Sequence, residues 1–281
     1  MPGRACGAGC LPARIAALDG AGEPVLGEDV HAALVTAVVF AASGAILAAA
    51  ERLAPIRAQA LLRAGVRDDL VHAALSNAAP AVLVGALSAG IVGLTGPGPL
   101  AAAPWPAAWL AVLAVTELTF YAVHRAMHRH AWLWRLHALH HEPAQLDWLA
   151  GFRKHVGEAL LHGLAALPLL IILGPPPAVL LAHSLLGVVM TGFTHWNVRW
   201  RLGWLERLVV TPRLHAWHHA ADGERGPAVN LAGKLAVLDA LFGTRAAAAG
   251  WPTRLGLTTT TPAPRGWWAQ QRAALRREEP R

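Results

Sequence analysis

Glu117-Leu-Thr-Phe-Tyr121-Ala-Val-His124-Arg125-Ala-Met-His128, followed closely by Leu133-Trp134-Arg135-Leu-His137-Ala-Leu-His140-His141, decides how this chain is read. The stretch leaves an apolar run that starts at Pro106 and ends as a row of imidazoles. Residues four apart share one face of a helix, so His124 and His128 can reach one metal ion. In His137-x2-His140-His141 the first and third histidines are again four apart and the second is three from the first. Such a turn is expected to present two or three imidazoles to a common centre.

The same H-x2-H-H spacing returns at His215, His218 and His219, while His155 and His195 stand singly near the ends of two later apolar runs. Eight imidazoles in three clusters exceed what one tetrahedral or octahedral ion needs, which implies two metals. Imidazole suits iron, zinc, copper and nickel, so spacing alone leaves the metal open. His31, His72, His130, His162 and His183 lack a patterned partner and are read as structural or interfacial polar groups. The run His140-His141-Glu142-Pro143 is not HExxH, so a zincin protease has no support.

Around these clusters lies an apolar chain. Of 281 residues, 55% are hydrophobic and only 15% charged, and the mean hydropathy is +0.40. A soluble domain carries about 25% charged residues, so the shortfall points to lipid as the main solvent. Five stretches read as helices: Ala32–Ala50, Leu70–Leu94, Pro106 to about Val123, Val156–Leu173 and Pro177–Phe193. The fourth is short for a bilayer needing about 20 residues, so it is expected to tilt or to pair with the fifth through Gly174-Pro175-Pro176-Pro177. The fold class is therefore all-α integral membrane protein, with about five transmembrane helices and a histidine-rich helical cap on the cytoplasmic face.

Loop charge sets the expected sidedness. Arg52, Arg57, Arg63 and Arg67 follow the first run, and Arg125, Arg129, Arg135, Arg153 and Lys154 follow the third. The Thr95–Trp105 loop and the Gly174–Pro177 turn carry no charge. Positive loops alternating with neutral ones put the cations on one side, which places the N-terminus outside and the C-terminus in the cytoplasm. The net charge of +7 is then a membrane signature, and no nucleic-acid partner is expected. Trp132, Trp134, Trp148, Trp196, Trp200 and Trp204 flank the runs and read as interfacial. Residues 1–30, with Cys6 and Cys10 as a free pair, read as a flexible tail without a signal peptide; 31–245 as the membrane domain with its cap; and 246–281 as a basic tail.

Taken together, these motifs resemble the fatty acid hydroxylase/sterol desaturase superfamily of membrane di-iron enzymes. Glu117-x3-Tyr121-x2-His124-Arg125-x2-His128 is similar to its acidic-Tyr-His-Arg-His signature, and Leu133-Trp134-Arg135-x-His137 to its second box. Phe193-Thr194-His195-Trp196-Asn197 resembles its isolated His-x-Asn element. Thr211-Pro212-Arg213-x-His215-x2-His218-His219 and Leu241-Phe242-Gly243-Thr244 resemble its last box. The chain departs from the family's usual Asn-Tyr-Gly at Asn230-Leu231-Ala232-Gly233, from Trp-Asp at Leu238-Asp239, and from a common proline at Val156.

The resemblance implies metal ligation by His124, His128, His137, His140, His141, His195, His215, His218 and His219. It makes His155 an outer ligand or a supporting residue, and Glu158, Asn197 and Asp239 are candidates to orient the ligands. The implied cofactors are two non-haem iron ions with O2 as co-substrate, and the implied reaction is hydroxylation or desaturation at a C–H bond of a membrane lipid. No four-cysteine iron–sulfur pattern or dinucleotide fingerprint is present, so a separate ferredoxin- or cytochrome-like electron donor is expected. Two rivals use the same histidines: a zinc-dependent membrane hydrolase, and a metal transporter for which His72 and His183 are the hints.

Overall fold

The computed structural model describes residues 25–60, 62–221, 228–246, 250–257 and 264–276. Cys6 and Cys10 lie outside them, as do the ends of the expected C-terminal tail. Packing divides the chain into Met1–Val38 and Val39–Arg281. The described part of the first unit is the opening of helix α1 (Val25–Leu53); everything below concerns the second.

The second unit is helical, and the described residues contain only two isolated β-bridges in place of strands. Helix α2 (Val66–His72) runs through a π-helical segment, Ala73–Ala78, into α3 (Ala79–Thr95). Helix α4 spans Trp105–Arg129 and α5 spans Ala131–His141. Helices α6 (Val156–Leu173) and α7 (Pro177–Thr194) are joined by a short turn, and each packs on α4 rather than closely on the other, unlike the expected pairing. Short helices α8 (Pro212–His218) and α9 (Val237–Leu241) follow, then α10 (Trp267–Arg276).

Five of these stretches are long and apolar enough to cross a membrane: Val30–Leu53, Val66–Ser88, Trp105–Arg129, Val156–Leu173 and Pro177–Thr194. Their apolar side chains are largely outward: Ile46, Leu83, Leu110, Leu118, Leu164 and Ile172 are all exposed. A helix that is apolar on its outer face is stable only in lipid, where backbone groups are satisfied within the helix. This is an integral membrane protein.

Local chemistry sets the helix ends. Pro106 and Pro177 occupy first-turn positions, where a missing N–H costs nothing. Gly174 ends α6 at φ +55°, a conformation glycine adopts without strain. At the other end of α6 the His155 ring accepts the Gly157 N–H at 3.0 Å, an N-cap made by an imidazole. Helix α4 outruns its expected end near Val123 by almost two turns, so His124 and His128 continue a spanning helix rather than opening a loop.

Beyond the spans, α5, α8 and the loops between them build the cap. Tyr121, Val210, Leu214, Leu231, Ala232 and Leu238 form its apolar core. Buried Glu51 joins three segments by accepting the N–H groups of Trp148 (2.8 Å) and Asn197 (3.0 Å). Trp148 and Trp196, expected at the interface, are packed instead beside Leu47 and Phe193. The segment expected as a basic tail also differs, because α10 is docked on α5 and buries Gln270, Gln271 and Ala274.

Candidate metal centre

All nine imidazoles singled out from the sequence meet in the cap, in two groups. His124, His128, His137, His141 and His218 form one, and His140, His195, His215 and His219 the other; within each group the ring nitrogens lie within 4.8 Å of one another. Each H-x2-H-H element is split: its first and third histidines go to one group and its middle histidine to the other. The expected common centre for each element is thus corrected. On α5, His140 points about 60° away from His137 around the helix axis, enough to face a second centre.

Backbone carbonyls determine what these rings can do. A carbonyl only accepts, so an imidazole nitrogen facing one must carry the proton, which leaves a lone pair on the other nitrogen. His124 Nδ1 lies 2.6 Å from Leu231 O and His218 Nδ1 lies 2.9 Å from Val229 O. His140 Nδ1 meets Arg153 O at 3.0 Å, and His195 Nδ1 meets Thr191 O at 2.8 Å. His137 Nδ1 sits 3.1 Å from a Glu158 carboxylate oxygen.

Their Nε2 atoms converge as lone pairs. His140 and His195 bring theirs to 3.2 Å, and His124 and His137 to 2.9 Å. Two lone pairs at that distance repel unless a cation lies between them. Further Nε2 contacts knit each group, among them His215–His195 at 2.9 Å and His141–His218 at 3.0 Å. This donor set fits a metal ion at each centre, with imidazole ligands suited to iron, zinc, copper or nickel. The groups adjoin where the His141 and His219 rings stack 4.3 Å apart.

Burial keeps the rings neutral. It pushes His140, His141, His215, His218 and His219 well below the ordinary histidine value, with neighbouring imidazoles adding to the effect. Burial takes His195 down to about 4. A neutral imidazole is the form that binds metal.

The supporting residues expected from sequence divide. Glu158 touches His137, one turn into α6. His155 lies outside both groups, as the cap of α6. Asn197 instead ties Arg57, accepting its N–H at 3.2 Å and donating to its carbonyl at 2.7 Å. Asp239 accepts the Leu231 and Ala232 N–H groups, fixing the loop whose Leu231 carbonyl orients His124. Glu117 serves the fold: it accepts the N–H groups of Lys234 and Leu235 and pairs with Lys234 Nζ at 2.7 Å. Trp134, read as part of the second box, packs against His128 and His141, while the four orienting carbonyls had no sequence signal. His72 and His183, the hints of a transporter, lie outside both groups. His72 bonds Gln270 and the Lys154 carbonyl, and His183 bonds Thr116.

The fatty acid hydroxylase family model matches residues 109–244, the stretch from α4 to the end of the cap that carries all nine histidines. The chain belongs to the fatty acid hydroxylase superfamily. An ornithine lipid hydroxylase of Rhizobium tropici is 33% identical over 225 residues, 74% of this chain and 66% of that protein. Alkylglycerol monooxygenases of Danio rerio and Homo sapiens are 31% and 28% identical, each over 50% of this chain. The chain spans under two thirds of these relatives' lengths: 66% of the first and about a third of the other two (31% and 32%). No solved structure matches.

Proposed function

We propose that this protein hydroxylates a membrane lipid in an O2-dependent reaction at two non-haem irons. The observation that carries the proposal is the pairing of imidazoles, oriented by carbonyls or by Glu158, whose Nε2 atoms face each other across 2.9–3.2 Å in two adjoining groups. One iron is assigned to His124, His128, His137, His141 and His218, the other to His140, His195, His215 and His219. The five imidazoles of the first group exceed the three or four protein ligands that a zinc site uses, which favours iron over a zinc hydrolase at that centre. Bound iron supplies the O2 chemistry that an unactivated C–H bond requires.

The chain's own residues provide the setting. Burial withholds water from both groups, and the carbonyls of Arg153, Thr191, Val229 and Leu231 hold the rings in register. Lipid enters sideways from the bilayer, because the spans expose apolar side chains and an acyl or alkyl chain gains nothing by leaving the membrane. The names of the relatives favour hydroxylation over desaturation, and a polar lipid as substrate. Electrons come from a separate ferredoxin- or cytochrome-like protein. The arginine-rich loops support a cytoplasmic cap, where such a donor is available.

The test is to supply iron-loaded protein, in membranes with a reducing system, with isotopically heavy O2 and to follow the lipids by mass spectrometry. One heavy oxygen atom in a lipid product, absent from the His140→Ala protein, is expected. Turnover without O2, or incorporation of oxygen from water, would replace this reading with the hydrolase.

A further inference from the structure

Helix α10 lies outside the family-matched residues, yet it reaches the metal centre through one short segment, residues 153–156. Arg153 lends its carbonyl to His140 at 3.0 Å. Its buried guanidinium is held at Nε by Asp69 (2.7 Å) and at Nη1 by Gln270 Oε1 (3.2 Å). Gln270 Oε1 also faces His72 Nε2 at 2.7 Å, and Gln270 Nε2 donates to Asp68 at 2.9 Å, so the amide cannot turn without breaking partners on both sides. Asp69 and His72 sit on α2, just before the π-helical segment, so the clamp joins a spanning helix to α10.

The neighbouring glutamine holds the other end. Gln271 Oε1 accepts the Val156 N–H at 2.8 Å, and Gln271 Nε2 donates to the Lys154 carbonyl at 3.2 Å. The His155 ring caps α6 beside this clamp. Val156 is the first residue of α6, and Glu158, two residues on, touches His137. Both glutamines are almost fully buried, at 2% and 4% exposure, so each lost bond leaves a partner unsatisfied away from water.

We propose that Gln270 and Gln271 are positioning residues for the two metals: Gln270, through Arg153, for the four-histidine group, and Gln271, through the start of α6, for the five-histidine group. The inference rests on the two-metal reading of those groups. Partners that orient metal ligands typically change metal affinity by about 10–100-fold when removed. The division of labour follows from which ligand each amide reaches, His140 or the Glu158–His137 pair.

The test is the rate at which a chelator strips iron from the detergent-purified, iron-loaded full chain. Release from wild type is expected in two phases, assigned by their loss in His140→Ala and His124→Ala. Gln270→Met, similar in length but lacking the amide, should speed the His140-dependent phase by about 10-fold or more and spare the other. Gln271→Met should do the reverse. Unchanged release in both variants overturns the positioning role and leaves the metal reading intact. Equal acceleration of both phases in each variant also overturns it, because that is general loosening of the cap. A wild-type chain that holds no iron overturns both.

Discussion

His140 and His141 are neighbours in the chain but serve different groups. His140 Nε2 lies 3.1 Å from that of His219, whereas His141 Nε2 lies 3.1 Å from His137 and 3.0 Å from His218. Successive residues of a helix diverge by about 100°, so a doubled histidine on α5 feeds two centres at once. His218 and His219 do the same from the opposite wall, where α8 ends. Substitutions can therefore be chosen to disturb one centre at a time.

Gly151 is the sharpest steric probe. A Cβ there would stand 2.6 Å from His195 Nδ1 and 2.6 Å from the Thr191 carbonyl, the two atoms of the bond that orients His195. Gly151→Ala should cost about 1–3 kcal/mol of stability and selectively lower iron occupancy of the four-histidine group. Thermal denaturation and iron content of the purified variant check this. Full occupancy with unchanged melting would contradict it.

Glu158→Gln keeps the shape but removes the carboxylate beside His137 Nδ1. The expected outcome is a fall of about 10–100-fold in affinity at the five-histidine group, measured by competition with a chelator, while the four-histidine group holds. Equal affinity in both proteins would show that the carboxylate does not support the ligand.

Asn230 adopts φ +53° between the two carbonyls, Val229 and Leu231, that orient His218 and His124. Its side chain bonds the Leu214 carbonyl and the Ala246 N–H. Asn230→Ala should destabilise by about 2–4 kcal/mol, combining the left-handed strain with unsatisfied buried partners. Asn230→Gly, free of the strain, should recover part of that loss in a melting experiment.

Much of this was legible in the sequence. Hydropathy marks the spans because lipid demands it, and H-x3-H with two H-x2-H-H elements names eight of the nine imidazoles that the structure groups, the ninth being the single His195. The sorting of those imidazoles was less visible, since it depends on where α7 and α8 bring His195 and His215. Backbone carbonyls leave no trace in composition, so Arg153 O, Thr191 O, Val229 O and Leu231 O had to be found in three dimensions. The π-helical Ala73–Ala78 and the docking of α10 were hidden for a similar reason. Both depend on Gln270 and Trp267 meeting His72 and Ser76 from nearly two hundred residues away.

Acid should unfold the metal-free protein. His195 is lowered by burial to about 4, against about 6.5 when unfolded, and His140, His141, His215, His218 and His219 shift the same way. A group with a depressed folded value binds more protons when unfolded, so its contribution is complete above pH 6.5 and is lost as pH falls towards 4. His195 alone accounts for about 2 kcal/mol of lost stability by pH 5. Melting temperatures of chelator-treated protein should be flat above pH 7 and fall steadily from pH 6.5 to 5. A flat profile through pH 5 would show that these rings are not buried as neutral species.

Iron content per chain, measured on detergent-purified protein expressed with iron supplied, tests the two-centre reading most directly. About two irons are expected in the wild type and about one in each of His140→Ala and His141→Ala, because the adjacent histidines belong to separate groups. Stoichiometric zinc that persists after iron loading, or the same metal content in all three proteins, would contradict it.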